Sequence, residues 1–385
     1  MRKWLLPEAI EDVLPVEAAR VEALRRVLLD HFRERGYRLV QPPLIEYLDS
    51  LLTGTGRDLD LLTFKTVDPL SGRMLGLRAD TTPQVARIDA HLLNEPGVTR
   101  LCYAGSVLRT ATAGPGDTRQ VVQIGAELYG HAGIAADIEI MQLHLSALGA
   151  ACVRGLHLDL GHVGLYRALA GAAGLSGGGE GDDADLFTAL RGKDTPAVHE
   201  LTATLPEPAR GALRALATLY GPAEATLAAA RDVLPALPDV VAALDALAVL
   251  AGAATGVDAI HVDLADLRGY HYYTGATFSV FAEGERGAII DCGRGGRYDG
   301  VGRAFGRARP ATGFSLDLRR LSALAGGNGI KPIVAAPADA DPRLAQAIAA
   351  LRARGECVVV ELPGETNGSA RRLVRDGGQW SVEEN

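Results

Sequence analysis

The stretch Ser106-Val107-Leu108-Arg109, then Thr110-Ala111-Thr112-Ala113-Gly114-Pro115-Gly116-Asp117-Thr118, then Arg119 through Gln123-Ile124-Gly125-Ala126-Glu127 decides the fold. Residues 99–108 and 119–129 read as two strands joined by a flexible loop of small residues. Side chains alternate along a strand, so Gln123, Gly125 and Glu127 share one face. Arg109 stands at the entry to the loop. One strand pair therefore carries a cation, an amide and a carboxylate.

Working outward, residues 16–35 predict an amphipathic helix, with Val21, Leu24, Leu28 and Phe32 at three- and four-residue steps and Gly36 as its stop. Leu39-Val40 is a short strand, halted by Pro42-Pro43. Residues 64–77 read as a hairpin around Asp68-Pro69-Leu70-Ser71-Gly72, and a helix follows Pro83 with Val85, Ile88 and Leu92 on one face. On the other side come a helix over 138–148 and a strand over 156–160. An acidic glycine-rich linker at 175–183 then leads into an Ala/Leu-rich, all-helical insertion over 184–254. Strand character returns at 260–264. A hairpin-like pair follows over 272–281 and 288–292, then the glycine-rich run 293–300, then a strand over 312–318 feeding a helix. After a linker at 325–329, residues 332–362 read strand, helix, strand, the opening of an α/β unit. That tail is too short for a large core and should lean on something else. The expected class is α+β: a core over residues 1–325, with the insertion at about 175–255, and a truncated α/β segment over 330–385.

Lys and Arg number 39 against 47 Asp and Glu, a net charge of −8, so the bulk electrostatic footprint of a nucleic-acid binder is missing. Cys102, Cys152, Cys292 and Cys357 are far apart, with no CxxC pair and no zinc spacing. They read as reduced thiols of a cytoplasmic protein with no metal site. His157, Asp159 and His162 read as an ordinary strand end. The N-terminus meets Pro7 and Glu8 too early for a secretory segment, and the apolar run 240–257 carries Asp245 and reads as a buried helix. No cofactor is expected.

Four polar clusters stand out: Leu77-Arg78-Ala79-Asp80-Thr81-Thr82-Pro83; Arg109 with Gln123 and Glu127; Arg268-Gly269-Tyr270-His271-Tyr272-Tyr273-Thr274-Gly275; and Gly293-Arg294-Gly295-Gly296-Arg297-Tyr298-Asp299-Gly300. Singly, each has an ordinary reading: a helix N-cap at Asp80, a solvated arginine, packed tyrosines, and a glycine run without dinucleotide spacing or a P-loop lysine. In this order they are specific. Over about residues 5–325 the chain resembles histidyl-tRNA synthetase and its paralogues. Residues 36–46 resemble motif 1 of the class II synthetase core, 106–127 motif 2, 313–321 motif 3, and 268–273 the histidine-specific signature. The resemblance implies a class II antiparallel sheet flanked by helices, in a homodimer. It implies that Asp80 and Thr82 hold the α-ammonium of histidine and that Gln123 lines the pocket. Glu127 and Tyr273 would reach the imidazole, and Arg109 would face the carboxylate or a phosphate. Arg268 and Tyr272 belong to the same histidine-binding set. The chemistry agrees, since a zwitterion with a two-nitrogen ring asks for a carboxylate, a cation, and oxygen or hydroxyl groups.

The departures point elsewhere than aminoacylation. Where the synthetase has Glu and Arg for adenine and phosphates, this chain has Ala111 and Asp117, and a unit charge pair at ~4 Å is worth ~4 kcal/mol at an effective dielectric of about 20. The motif 2 loop has lost its basic residues, and the tail is shorter than an anticodon-binding domain. The segment 77–87 is close to that of the ATP phosphoribosyltransferase regulatory subunits, non-catalytic paralogues acting in the first step of histidine biosynthesis. That resemblance implies L-histidine as ligand, a short catalytic subunit as partner in a four-plus-four hetero-octamer, allosteric control, and neither tRNA nor membrane. A working histidyl-tRNA synthetase with an unusual motif 2, since Arg109, Arg268 and Arg320 persist, and a scaffold built on the class II dimer are the competing readings.

Overall fold

The computed structural model of the chain describes residues 4–53, 57–112, 114, 117–178, 181–284, 287–325, 332–365 and 368–384. All but the first residue of the linker expected over 325–329, and parts of the loops at 110–118 and 175–183, lie outside them. Two compact units are present: residues 1–13 with 21–326, and residues 14–20 with 327–385.

The first unit is built on a nine-stranded sheet in the order Arg38–Leu39, Thr99–Leu108, Gln120–Tyr129, Ala311–Asp317, Ile289–Arg297, Ala276–Glu283, Leu156–His162, Ala259–Asp263 and Tyr220–Pro222. Its central pairings are antiparallel, but Arg38 pairs with Leu101 and His157 with Ala259 in parallel. The sheet is therefore mixed rather than antiparallel throughout. Parallel neighbours need a long crossover, and between Leu156–His162 and Ala259–Asp263 the helical insertion supplies it. That insertion runs from Ala184–Arg191 to Pro238–Ala253 and is not wholly helical: Tyr220–Pro222 pairs antiparallel with residues 261–263 at the sheet edge.

The strand expected over 288–292 runs on into the glycine-rich stretch, because residues 289–297 form one continuous strand. A Cβ at Gly295 would lie 2.3 Å from the Gly313 carbonyl oxygen and 2.5 Å from the Phe278 ring. The glycine there admits close neighbours. Tyr272 and Tyr273 fall on the turn before the strand Ala276–Glu283, not within it. After Pro83 the α-helix Thr82–Arg87 continues into a π-helical turn, Ile88–Leu93. The wider turn carries Leu92 off the expected apolar face, leaving it 62% exposed.

The two faces of the sheet have different tasks. Ile124, Ala126, Phe314 and Leu316 join the main core with Leu24, Leu28 and Phe32 of the helix Pro15–Arg33 and with Ile140, Met141 and Leu148 of the helix Ile134–Ala150. Alternation turns Gln123 and Glu127 to the opposite face, where Tyr103, Tyr129 and Tyr298 are buried. In register across that face stand Leu101, Glu127, Gly313 and Gly296, then Gly105, Gln123 and Asp317.

The second unit contains a four-stranded sheet in the order Cys357–Val360, Ile333–Ala336, Arg371–Asp376, Gln379–Glu384 and the helix Pro342–Ala353. Val334, Ala336, Leu344, Ile348, Leu351, Val358 and Leu373 form a core of its own. The last two strands were not read from the sequence. Among the described residues, no helix is long and apolar enough to cross a membrane.

Candidate functional site

One cavity of about 460 Å³ opens on the tyrosine-bearing face of the sheet, and its lining includes Asp80, Thr82, Arg109, Gln123, Glu127, Arg268, Tyr272 and Tyr273. These residues come from four separate stretches of the chain. Strand alternation aims Gln123 and Glu127 into the cavity. Asp80 and Thr82 are set by Arg78, which is buried and donates to the carbonyls of Ser106 (2.8 Å) and Pro42 (2.9 Å). Asp80 is not the N-cap expected of it: Thr81 takes that place before the helix Thr82–Arg87, and Asp80, one residue earlier, accepts from the Thr82 amide through Oδ1 at 2.8 Å while its carboxylate lines the cavity. Gln123 bridges this corner: its Oε1 accepts from the Thr81 amide (2.9 Å), and its Nε2 donates to Asp80 (3.3 Å) and Ser315 Oγ (3.2 Å).

Glu127 is the deepest charge-bearing group of the cavity lining, 1% exposed. The Tyr103 hydroxyl donates to its Oε1 at 3.1 Å, the Tyr298 hydroxyl donates to its Oε2, and the Tyr103 hydroxyl also meets Thr82 Oγ1 at 3.1 Å. Burial pushes the carboxyl up to about 8, helped by the negative charge of Asp80 and opposed by the tyrosine and threonine hydroxyls. Tyr272 stacks on Tyr298 at 5.0 Å between centroids, and its buried hydroxyl has no hydrogen-bond partner among the described residues. Tyr273 meets Tyr272 edge-on at 5.2 Å.

The cavity's arginines are mostly satisfied by carboxylates. Arg268 makes two 2.8 Å bonds to Asp266, Arg294 is paired with Asp291, and Arg320 holds Asp117 at 2.5 Å. Arg109 donates to the Ala79 carbonyl at 3.2 Å and, among the described residues, is the one cavity arginine without an ion pair. Asp80 and Glu127 have no ion-pair partner there either. The arrangement offers one free cation, one carboxylate beside the Gln123 amide, and a buried carboxyl ringed by hydroxyls. It suits a ligand with one anionic group, one cationic group and a polar ring, not a polyanion. Among the described residues, no cluster of three His, Cys, Asp or Glu forms a metal site.

Sequence reading missed Tyr103, Tyr298, Ser315 and Asp266. Tyr103 was signalled by its place two residues before Gly105 on the facing strand, and Tyr298 lay inside the flagged glycine-rich run. Ser315 needed the strand register, and Asp266 only its position two residues before Arg268.

Residues 9–321 match the family model of histidyl-tRNA synthetase, and residues 331–383 match that of the ATP phosphoribosyltransferase subunit HisZ C-terminal domain. The chain is 54% identical to an ATP phosphoribosyltransferase regulatory subunit of Ralstonia nicotianae, covering 99% of this chain and 98% of that one. It is 56% identical to one of Cupriavidus taiwanensis, covering 98% of each. Among solved structures it resembles an ATP phosphoribosyltransferase regulatory subunit/histidyl-tRNA synthetase from Bacillus halodurans, with TM-score 0.78, 26% identity and 95% of each chain covered.

Proposed function

The chain belongs to the family of ATP phosphoribosyltransferase regulatory subunits, with a class II synthetase-like α+β core, and from that membership we propose that its cavity binds free L-histidine and relays its presence to a catalytic partner subunit. The observation that carries the reading is Glu127, buried under the hydroxyls of Tyr103 and Tyr298 in a cavity where, among the described residues, Arg109 is the single arginine without an ion pair. Glu127, with Tyr273, receives the imidazole. Asp80 and Thr82 receive the α-ammonium beside Gln123, and Arg109 receives the carboxylate. Tyr272 supplies a hydroxyl not yet spoken for, while Arg268, already shared with Asp266, completes the lining. A buried polar set of this kind rejects analogues that lack the matching groups by large factors.

The chain itself performs no aminoacylation. Of the arginines a nucleotide would meet, Arg268 and Arg320 are each already neutralised by a carboxylate. Control then comes from linkage: histidine lowers catalysis in the partner if it binds more tightly to the assembly's inactive arrangement. A homodimer through the class II core, four such subunits with four short catalytic subunits, and a cytoplasmic setting complete the proposal.

The proton inventory makes the binding reading testable by calorimetric titration with histidine. The free site holds a proton on Glu127 up to about pH 8, and free imidazole loses its proton near pH 6.5. The complex shares one proton between them. Below about 6.5 binding must release a proton, above about 8 it must take one up, and between these limits nothing changes. Affinity is expected to be flat over about pH 6.5–8 and to fall roughly tenfold per unit beyond either edge. Absence of saturable histidine binding at pH 7 would remove the proposal, and affinity that climbs steadily past pH 8 would remove Glu127 from the ring contact.

A further inference from the structure

Besides the set assigned to histidine, with which it shares Arg109, the cavity has a second region lined by Arg109, Arg294 and Arg320 and by Asp117, Asp291 and Asp317. Three cations face three anions, so this region carries no excess charge, although arginines of this kind are what a phosphoryl group seeks. The balance is built around Arg320. Its guanidinium holds Asp117 at 2.5 Å, with the two side chains 33% and 23% exposed, and Asp291 and Asp317 also feel its charge. Asp317 is turned to cap the helix Leu318–Leu324 through the Arg319 amide at 2.9 Å. Asp117 is different: it stands at the end of the 110–118 loop, outside any strand or helix, and its carboxylate meets Arg320 in the cavity lining.

We propose that Asp117 is a built-in occupant of an anion site, its carboxylate holding the place on Arg320 that a polyphosphate would take. The ligand class being excluded is the nucleoside polyphosphates and pyrophosphate. An incoming pyrophosphate must break the Asp117–Arg320 pair and meet the displaced carboxylate as a like charge, and both costs oppose it. The proposal deepens the reading of the cavity as a histidine site by making Asp117 the residue that keeps the chain selective for the amino acid. It does not depend on histidine binding itself, because Asp117 and Arg320 belong to neither the ammonium nor the ring contacts.

The test uses the full-length chain, inorganic pyrophosphate as probe, and calorimetric titration at low ionic strength, with a parallel histidine titration of each protein. Asp117→Asn keeps the side chain's shape and leaves Arg320 unopposed. It is expected to bind pyrophosphate roughly tenfold to a hundredfold more tightly than the parent, and the gain should vanish in the double variant Asp117→Asn with Arg320→Gln. Asp117→Ala, read the same way, serves if the amide disturbs the loop. Equal pyrophosphate affinity in parent and charge-free variants, or a gain that survives Arg320→Gln, overturns the proposal even if histidine binds normally. If the parent ignores histidine while Asp117→Asn gains pyrophosphate, the histidine reading fails and this one stands.

Discussion

Glu127→Ala is expected to weaken histidine binding by about a hundredfold or more, and Glu127→Gln by about tenfold. Glu127 is the only carboxyl of the cavity so deeply buried, at 1% exposed, and both its oxygens already accept from tyrosine hydroxyls. A hydrogen bond to a charged group contributes about 1.5–3 kcal/mol, and each buried hydroxyl left without a partner costs about 1–3 kcal/mol. Alanine incurs both losses. Glutamine keeps an acceptor for one tyrosine but can share no proton with the ring. The amide also separates binding from folding. The Glu127 carboxyl is raised to about 8 in the fold against an ordinary value of 4.5. Between those limits the folded chain holds a proton that the unfolded chain has lost, so stability falls as pH rises from about 4.5 to about 8. Glu127→Gln should remove that slope in urea denaturation while weakening histidine binding at every pH. Unaltered affinity in either variant would mean that the ring contacts another wall of the cavity.

Gly313→Ala is expected to destabilise the protein by about 3 kcal/mol or more and to abolish histidine binding. Gly313 sits opposite Glu127 in the strand register, and a Cβ there would lie 1.6 Å from Glu127 Oε2 and 2.8 Å from the Ala126 carbonyl oxygen. No real contact is that short, so the carboxyl must swing away and abandon Tyr103 and Tyr298, or the two strands must part. Overpacking of a tight site costs about 1–3 kcal/mol, and the orphaned hydroxyls add to it. Urea denaturation and histidine calorimetry on one preparation check both halves. An alanine variant with the parent's midpoint and affinity would place the Glu127 carboxyl elsewhere.

Much of this site was legible in the sequence, for reasons that differ from residue to residue. The strands Thr99–Leu108 and Gln120–Tyr129 carry alternating, β-rich sequence, and period-two alternation alone puts Gln123 and Glu127 on one face. That Asp80, Arg109 and Tyr273 join them came from resemblance, since no local rule brings together residues so distant in the chain. The partners of Glu127 were harder: Tyr298 lies 171 residues away, just past the strand Ile289–Arg297, whose glycines gave no strand pattern beyond residue 292. Glycine strands carry no apolar alternation, so neither their existence nor their register is written in a pattern. The parallel junctions were invisible for a related reason. For Leu156–His162 and Ala259–Asp263 the neighbour is set by the crossover through the helical insertion, and strand sequence does not encode it. The ion pairs that silence Arg268 and Arg320 required side-chain geometry, although Asp117 already announced a change of sign.

The central claim is that histidine in this cavity governs a catalytic partner, and the most direct measurement is the steady-state rate of a short-form ATP phosphoribosyltransferase catalytic subunit assayed with and without this chain across a histidine titration. The account predicts that histidine lowers the rate only when the chain is present, along a curve that follows calorimetric occupancy of the cavity. A rate that histidine leaves unchanged in the presence of the chain, or lowers equally in its absence, would contradict it.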